Sequence, residues 1–300
     1  MADMGEKTAG HAGTTVGFIG AGTVGTALAV RLSGSGYRVV AAASRSRSSA
    51  ERLAASVPGC TAFDSKQQVA DAADLVFITT PDDAIGPVAA EIAWHPGQSV
   101  VHCSGADSIA ILEKAREDGA FVGGFHPLQT FASVTHAIEN IPGSTFAIEA
   151  EEPLLAILKD MAVALQGTWV KLNADDKVLY HAAAVMACNY FVTLVKLATD
   201  LWGTFGASPE QAIKALMPLL RGTLNNVENV GLPNCLTGPI ARGDIGTIRK
   251  HVSALKRAAP EVLSAYRELG LHTIPIGVAK GTLDAERAEQ LRELLKEGDQ

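Results

Sequence analysis

Gly20-Ala21-Gly22-Thr23-Val24-Gly25 places three glycines at the spacing GxGxxG, directly after the apolar run Val16-Gly17-Phe18-Ile19. After a strand and before a helix, that spacing has a mechanical meaning. Gly20 permits a tight turn, Gly22 lets the backbone approach a pyrophosphate, and Gly25 allows close packing of helix on strand. Thr23 and Val24 open the helix, whose free N–H groups and dipole favour an anion. About 20 residues further on, an NAD site usually offers a carboxylate to the ribose 2′-hydroxyl. Here that place holds Ser44-Arg45-Ser46-Arg47. Arg45 can pair with a 2′-phosphate and stack on adenine, and Ser44 and Ser46 can add hydrogen bonds. The cofactor expected is NADP. Thr80 and Pro81 follow the buried run Asp74–Thr79 and are expected beside the ribose or nicotinamide; a plain turn capped by Asp82 or Asp83 is the alternative.

Four further residues could move protons. Ser104 and His126 each follow the end of an expected strand, which puts both at the crevice of an α/β sheet. A histidine with an ordinary pKa near 6.5 suits proton transfer accompanying hydride transfer, although His126 could equally be a structural loop residue. Lys177 and His181 stand at i and i+4 and so share a helix face. Either could hold a carbonyl oxygen and supply its proton; the alternative is a polar stripe facing solvent. Asn189, a little over two turns on, lies roughly beside that face. In the low-charge stretch Asn234–Asp244, Thr237 and Arg242 could close a substrate pocket, Arg242 by gripping a carboxylate. A dimer-contact turn, with Asp244 capping the next helix, would use the same residues.

These groups need a scaffold, and the order of elements supplies one. Apolar runs at 16–19, 38–43, 74–79, 99–102, 120–122 and 144–148 alternate with helical stretches, which implies βαβ units and a mostly parallel sheet. The fold class expected is α/β: a Rossmann doubly wound parallel sheet followed by an all-helical C-terminal domain. Residues 1–15 read as a flexible tail, 16–152 as the NADP-binding domain and 153–300 as a mainly helical substrate and dimerisation domain, in which Pro153 can start a helix and 168–171 form a last short strand. Asp175 is the expected cap of a long helix reaching Gly203 or Gly206, and Ser208-Pro209, Asp244 and Ala259-Pro260 open others.

Composition narrows the function classes. Of 300 residues 47% are hydrophobic and 19% charged, with a net charge of −7, which disfavours disorder and nucleic-acid binding. Cys60, Cys103, Cys188 and Cys235 show neither a disulfide framework nor metal-ligand spacing, so no metal is expected and the compartment expected is a reducing cytoplasm. Val178–Ala198 is apolar and long enough for a bilayer span, but it carries His181, Asn189 and Lys196; a soluble helix is the reading taken.

Across nearly its whole length the chain resembles two-domain NADP oxidoreductases with a C-terminal domain like that of 6-phosphogluconate dehydrogenase. That group includes pyrroline-carboxylate, ketopantoate and deazaflavin-dependent NADP reductases, hydroxyisobutyrate dehydrogenases and prephenate dehydrogenases. The resemblance is strongest to a Rossmann-like family of candidate oxidoreductases whose C-terminal domain has no assigned function. It is carried by Gly20–Gly25, Ser44-Arg45-Ser46, Thr80-Pro81-Asp82-Asp83, Gly124-Phe125-His126-Pro127-Leu128, Lys177-x-x-Tyr180-His181 and Leu236-Thr237-Gly238-Pro239. It implies hydride transfer to or from a small carbonyl, imine or hydroxy acid, a substrate cleft between domains, and a homodimer built through the helical domain. Ser104 with His126 looks like the pair that contacts substrate in prephenate dehydrogenases, but Leu128-Gln129-Thr130 departs from the Met-x-Gly that usually follows. Lys177 and Asn189 look like the lysine and asparagine of hydroxyisobutyrate-type enzymes, without their Lys-x-x-x-Asn spacing. A non-catalytic NADP sensor would share the cofactor motif.

Overall fold

The computed structural model describes residues 13–296. Two compact units part between Cys188 and Asn189. In the first, eight strands form one sheet in the order β3-β2-β1-β4-β5-β6-β7-β8. Their ranges are β1 Thr15–Ile19, β2 Arg38–Ala43, β3 Thr61–Ala62, β4 Leu75–Ile78, β5 Ser99–His102, β6 Phe121–Leu128, β7 Thr145–Ala150 and β8 Thr168–Lys171. All neighbours run parallel except β6 and β7, which are antiparallel. The two-residue β3 carries no apolar run and was not anticipated.

Alternation along the strands builds a core on each face. One face carries the aromatic ladder Phe18, Phe77, Phe125 and Phe146, with successive ring centroids 5.2, 5.9 and 4.6 Å apart. Helices α1 (Thr23–Gly34), α2 (Arg47–Ala55), α6 (Val134–Asn140) and α7 (Leu154–Ala164) cover it. The other face, with Ile19, Val76, Ile78, Val100 and Val122, lies under α3 (Lys66–Ala72), α4 (Asp82–Ala90) and α5 (Glu113–Glu117).

The expected division at 152/153 falls inside this unit. The reason is physical: α7 buries Leu154, Leu155, Leu158, Met161 and Ala162 in the first core, and β8 completes the sheet against β7. The tail assigned to residues 1–15 lies outside the described residues up to residue 12, whereas Thr15 already pairs in β1 and donates its N–H to Asp74 at 2.8 Å. The long helix expected from Asp175 is interrupted at Cys188 into α8 (Lys177–Ala187) and α9 (Asn189–Gly203). Nor does Asp175 cap it: Asp176 stands at the N-cap of α8 without a side-chain cap, and Asn173 forms a capping box with Asp176 on the short 3-10 turn Ala174–Asp176 before it.

The second unit contains α9, α10 (Pro209–Val230), α11 (Ile245–Ala258), α12 (Pro260–Ala279) and α13 (Ala285–Lys296). Ser208 and Gln211 close a capping box ahead of Pro209, and Asp244 accepts the Thr247 N–H, as the sequence led us to expect. Ile248, Val252, Ile274, Leu291, Leu294 and Leu295 form the core of α11, α12 and α13.

Candidate active site

The sheet register lines up one lateral row near the carboxyl ends of the parallel strands: Ala43, Ile19, Ile78, His102, Gly124 and Glu149. The chain leaves β1, β2, β4 and β5 immediately beyond this row, through Gly20, Ser44, Thr79 and Cys103, while β6 runs on to His126. In an open α/β sheet this is the edge that binds ligands.

At Gly20 the backbone has φ +110, a conformation costly for any residue with a Cβ, and its N–H donates to the Ala43 carbonyl at 2.8 Å. Thr79 Oγ1 donates to the Gly20 carbonyl at 2.7 Å, and a Cβ on Gly25 would come within 2.3 Å of both oxygens. The turn is therefore packed tightly against β4. Gly22 differs, because nothing lies within 4 Å of where its Cβ would stand. Gly22 heads α1 without a side-chain cap, and the first turn, with Thr23 and Val24, contains no acidic residue. The first N–H groups of a helix have no intrahelical acceptor, and the open space at Gly22 leaves room for a pyrophosphate to approach them.

Arg45 and Arg47 part company after β2. Arg47 is committed to Glu51 at 3.0 Å and to Asp64. Arg45 is exposed and forms neither ion pair, so its guanidinium is available to a ligand. Ser46 occupies the N-cap position of α2 without capping it, its hydroxyl lying 2.9 Å from that of Ser48, and Ser44 is half-buried beside it. Next to Thr79, Thr80 Oγ1 is buried without a hydrogen-bond partner. Pro81 is exposed at the start of α4, and neither Asp82 nor Asp83 caps that helix. This strand of the crevice fits an adenosine 2′-phosphate and a pyrophosphate.

The proton-handling candidates gather beyond β5 and β6. Because Gly124 has no side chain, the row leaves a slot between His102 and Glu149, and the Lys177 amine fills it. A Cβ on Gly124 would meet Lys177 Nζ at 3.1 Å and His102 Nε2 at 3.4 Å. Lys177 is 2% exposed; Nζ donates to the Ser104 carbonyl at 3.1 Å and lies 3.7 Å from Glu149 Oε2. Burial pulls the ammonium below the ordinary lysine pKa, opposed by the charge of Glu149. Glu149 is itself fixed by the Ile109 N–H at 3.1 Å. Lys177 is thus not part of a solvent-facing stripe: it ties α8 to the sheet.

Ser104 is equally committed. Its hydroxyl is within hydrogen-bonding range of Asp82 at 2.9 Å and Asp107 at 3.1 Å, and accepts the N–H groups of Ala106 and Asp107. One proton and two lone pairs are fully used, leaving no hydroxyl for a substrate. Its N–H donates to His102 Nδ1 at 3.1 Å, and burial presses the His102 pKa down to about 3.

His126, Tyr180 and His181 form the accessible part of the cluster, all three half-buried. His126 Nδ1 lies 2.9 Å from the Tyr180 hydroxyl. His126 Nε2 and His181 Nδ1 both lie against Gly105, within 2.8 and 2.6 Å of where a Cβ would stand. Burial first, then the neighbouring His181 and Lys177, push the His126 pKa down to about 4. Burial raises that of Tyr180 to about 12.

The structure therefore brings together Ser104, His126, Lys177 and His181 as expected, and adds His102, Glu149, Tyr180 and Gly105. Glu149 gave no local signal, since it lies one residue past the expected strand end. Tyr180 stood in view only within the Lys-x-x-Tyr-His pattern. Asn189, Thr237 and Arg242 belong to the second unit: Asn189 opens α9, the other two lie between α10 and α11, and all are exposed. Among the described residues no group of three or more His, Cys, Asp or Glu side chains could hold a metal.

Comparison with known proteins divides the chain earlier than the two compact units do. Residues 4–127 match the family described as a Rossmann-like domain, and residues 144–273 the family described as a domain of unknown function (DUF2520). No curated protein matches the sequence. Among solved structures, a candidate NADP oxidoreductase from Bacteroides fragilis is 26% identical, with a TM-score of 0.71 over 87% of this chain and 98% of its own. A Thermotoga maritima protein is also 26% identical, with a TM-score of 0.61 over 94% of this chain and 98% of its own. A reductive aminase from Aspergillus terreus, in complex with NADPH and ethyl levulinate, shares the fold at 15% identity, with a TM-score of 0.65 over 93% of this chain and 99% of its own. The chain is thus similar over its first part to a Rossmann-like domain and over residues 144–273 to a domain of unknown function, DUF2520.

Proposed function

We propose that this protein is an NADP-dependent oxidoreductase that transfers hydride to or from a small carbonyl, imine or hydroxy acid. The observation that carries the reading is the pairing of an open, uncapped glycine turn at Gly22 with an uncommitted Arg45 one strand away. Gly20, Gly22, Thr23, Val24 and Gly25 would hold the pyrophosphate, Ser44, Arg45 and Ser46 the 2′-phosphate, and Thr80 and Pro81 the neighbouring ribose. The bound nicotinamide supplies the redox chemistry; the chain supplies orientation and proton control. His126, with Tyr180 and His181 against it, handles the proton. Lys177 holds the Ser104 turn in place. A similar solved structure that is a candidate NADP oxidoreductase, and a reductive aminase of the same fold in complex with NADPH, support this assignment.

The prephenate-type alternative asks Ser104 and His126 to share a substrate hydroxyl, and the Ser104 hydroxyl, with its one proton and two lone pairs already engaged, weighs against it. A sensor without catalysis would bind NADPH and tolerate loss of His126. Calorimetric titration of NADPH and NADH into wild type and Arg45→Ala tests the reading. A charge-assisted hydrogen bond is worth about 1.5–3 kcal/mol, so Arg45→Ala should weaken NADPH about 10- to 100-fold and leave NADH unchanged. Equal affinity for both cofactors in wild type would remove the NADP assignment.

The protein acts as a homodimer through its helical part, in a reducing cytoplasm that suits four cysteines outside any disulfide. The stretch Ala174–Gly203 is long and apolar enough to cross a membrane by length and composition, with a mean hydropathy of 1.6. Leu179, Met186, Tyr190 and Val192 are exposed on it, as are Leu219, Leu224 and Val230 on α10. Exposed apolar surface of this extent marks an interface, and a second copy is the occupant proposed. Lys177, Lys196 and Asp200 within the stretch disfavour a bilayer.

A further inference from the structure

His126 is flanked by two consecutive residues of α8. On one side the Tyr180 hydroxyl lies 2.9 Å from Nδ1, with the phenol ring edge-on to the imidazole at 5.6 Å. On the other, Nε2 faces Gly105, which also meets His181 Nδ1, a buried atom without a hydrogen-bond partner. Where the proton lies on His126 follows from the strengths of the groups. An imidazole nitrogen is a stronger base than a phenol oxygen, and a phenol, with an ordinary pKa near 10, is a stronger acid than the N–H of a neutral imidazole. The bond therefore runs from Tyr180 O–H to Nδ1, and the single ring proton is left on Nε2.

We propose that Tyr180 is a positioning residue that holds His126 in its Nε2–H tautomer, so that the site presents a proton donor. This rests on the oxidoreductase reading for its chemistry and fixes which direction the resting site is ready for: a donor suits reduction of a carbonyl or imine, and a bare Nε2 would suit oxidation of a hydroxyl. Bound NADPH would supply hydride to the carbon of a carbonyl or imine, which leaves an electron pair on its oxygen or nitrogen. That atom takes the Nε2 proton as the N–H bond breaks, Nδ1 takes the Tyr180 proton, and solvent reprotonates the phenolate. The imidazole ends neutral, so no buried histidine cation is needed beside Lys177 and His181.

The test is nitrogen-15 NMR of the histidine rings in the intact, cofactor-free protein near neutral pH, with His126→Gln identifying the signal. The expected wild-type result is a protonated Nε2 and an unprotonated Nδ1, with Tyr180→Phe moving His126 towards a mixture of both tautomers. A proton on Nδ1 in wild type, or a ring unaltered in Tyr180→Phe, overturns the proposal. Should Tyr180→Phe fail to fold, the wild-type spectrum decides alone. No cofactor is present, so a failure to bind NADPH would count against the oxidoreductase reading and leave the tautomer result standing.

Discussion

Gly105 carries the tightest steric demand among the proton-handling groups beyond β5 and β6. A methyl group there would lie 2.6 Å from His181 Nδ1 and 2.8 Å from His126 Nε2, closer than non-bonded atoms approach. Gly105→Ala should displace one or both imidazoles without touching the glycine turn after β1. The expected outcome is NADPH affinity within about twofold of wild type, together with shifted His126 and His181 ring signals; unmoved rings would mean that the loop yields instead. Such a demand is invisible in the sequence, where Cys103-Ser104-Gly105 reads as an ordinary turn. Arg45 was legible because its role depends on position relative to a nearby motif. Glu149 was not, because a lone carboxylate in a strand acquires a partner only when the strand acquires neighbours.

At the scale of elements, α8 is docked by one buried ion pair in the slot at Gly124. Lys177 is 2% and Glu149 7% exposed, so removing one partner leaves an unpaired charge in the sheet edge. Lys177→Met should therefore destabilise the protein by about 3–5 kcal/mol. Adding Glu149→Gln should recover part of that loss, because the stranded carboxylate is removed with it. Urea unfolding of the two variants measures both effects; a Lys177→Met change below about 1 kcal/mol would show that the pair contributes nothing net. The helix was readable from its apolar pattern and the polar pair at i and i+4. The interruption at Cys188 was not, since no proline or glycine marks it.

For the whole molecule, acid stability and assembly follow from the same geometry. His102 and His126 are neutral when folded, with pKa values about 3 and 4, and titrate near 6.5 when unfolded. The unfolded chain then binds more protons below pH 6.5, so stability is complete above that value and falls as pH drops towards 4. The slope should approach about 1.4 kcal/mol per pH unit for each histidine. Unfolding free energies at a series of pH values should show this, and His126→Gln should remove roughly half the slope. Leu179, 76% exposed, is surplus to the fold of one chain. Leu179→Glu should leave secondary structure intact and shift a homodimer to monomer in analytical ultracentrifugation; wild type sedimenting as a monomer would refute the dimer.

Local pattern alone determined much of this protein. The glycine spacing, the alternation of strands with helices and the caps at Ser208 and Asp244 depend on residues a few positions apart, and those interactions form wherever the segment goes. What only the tertiary structure decided depends on strands that meet across the sheet. Residues 153–171 read as the start of a helical domain, yet α7 and β8 belong to the sheet because β7 offers them an apolar face and an open edge. Lys177 and Ser104 looked like groups for a substrate. Their partners, 28 residues from one and 22 from the other, turn both inward, because a buried amine or hydroxyl must satisfy its hydrogen bonds before it can serve a ligand.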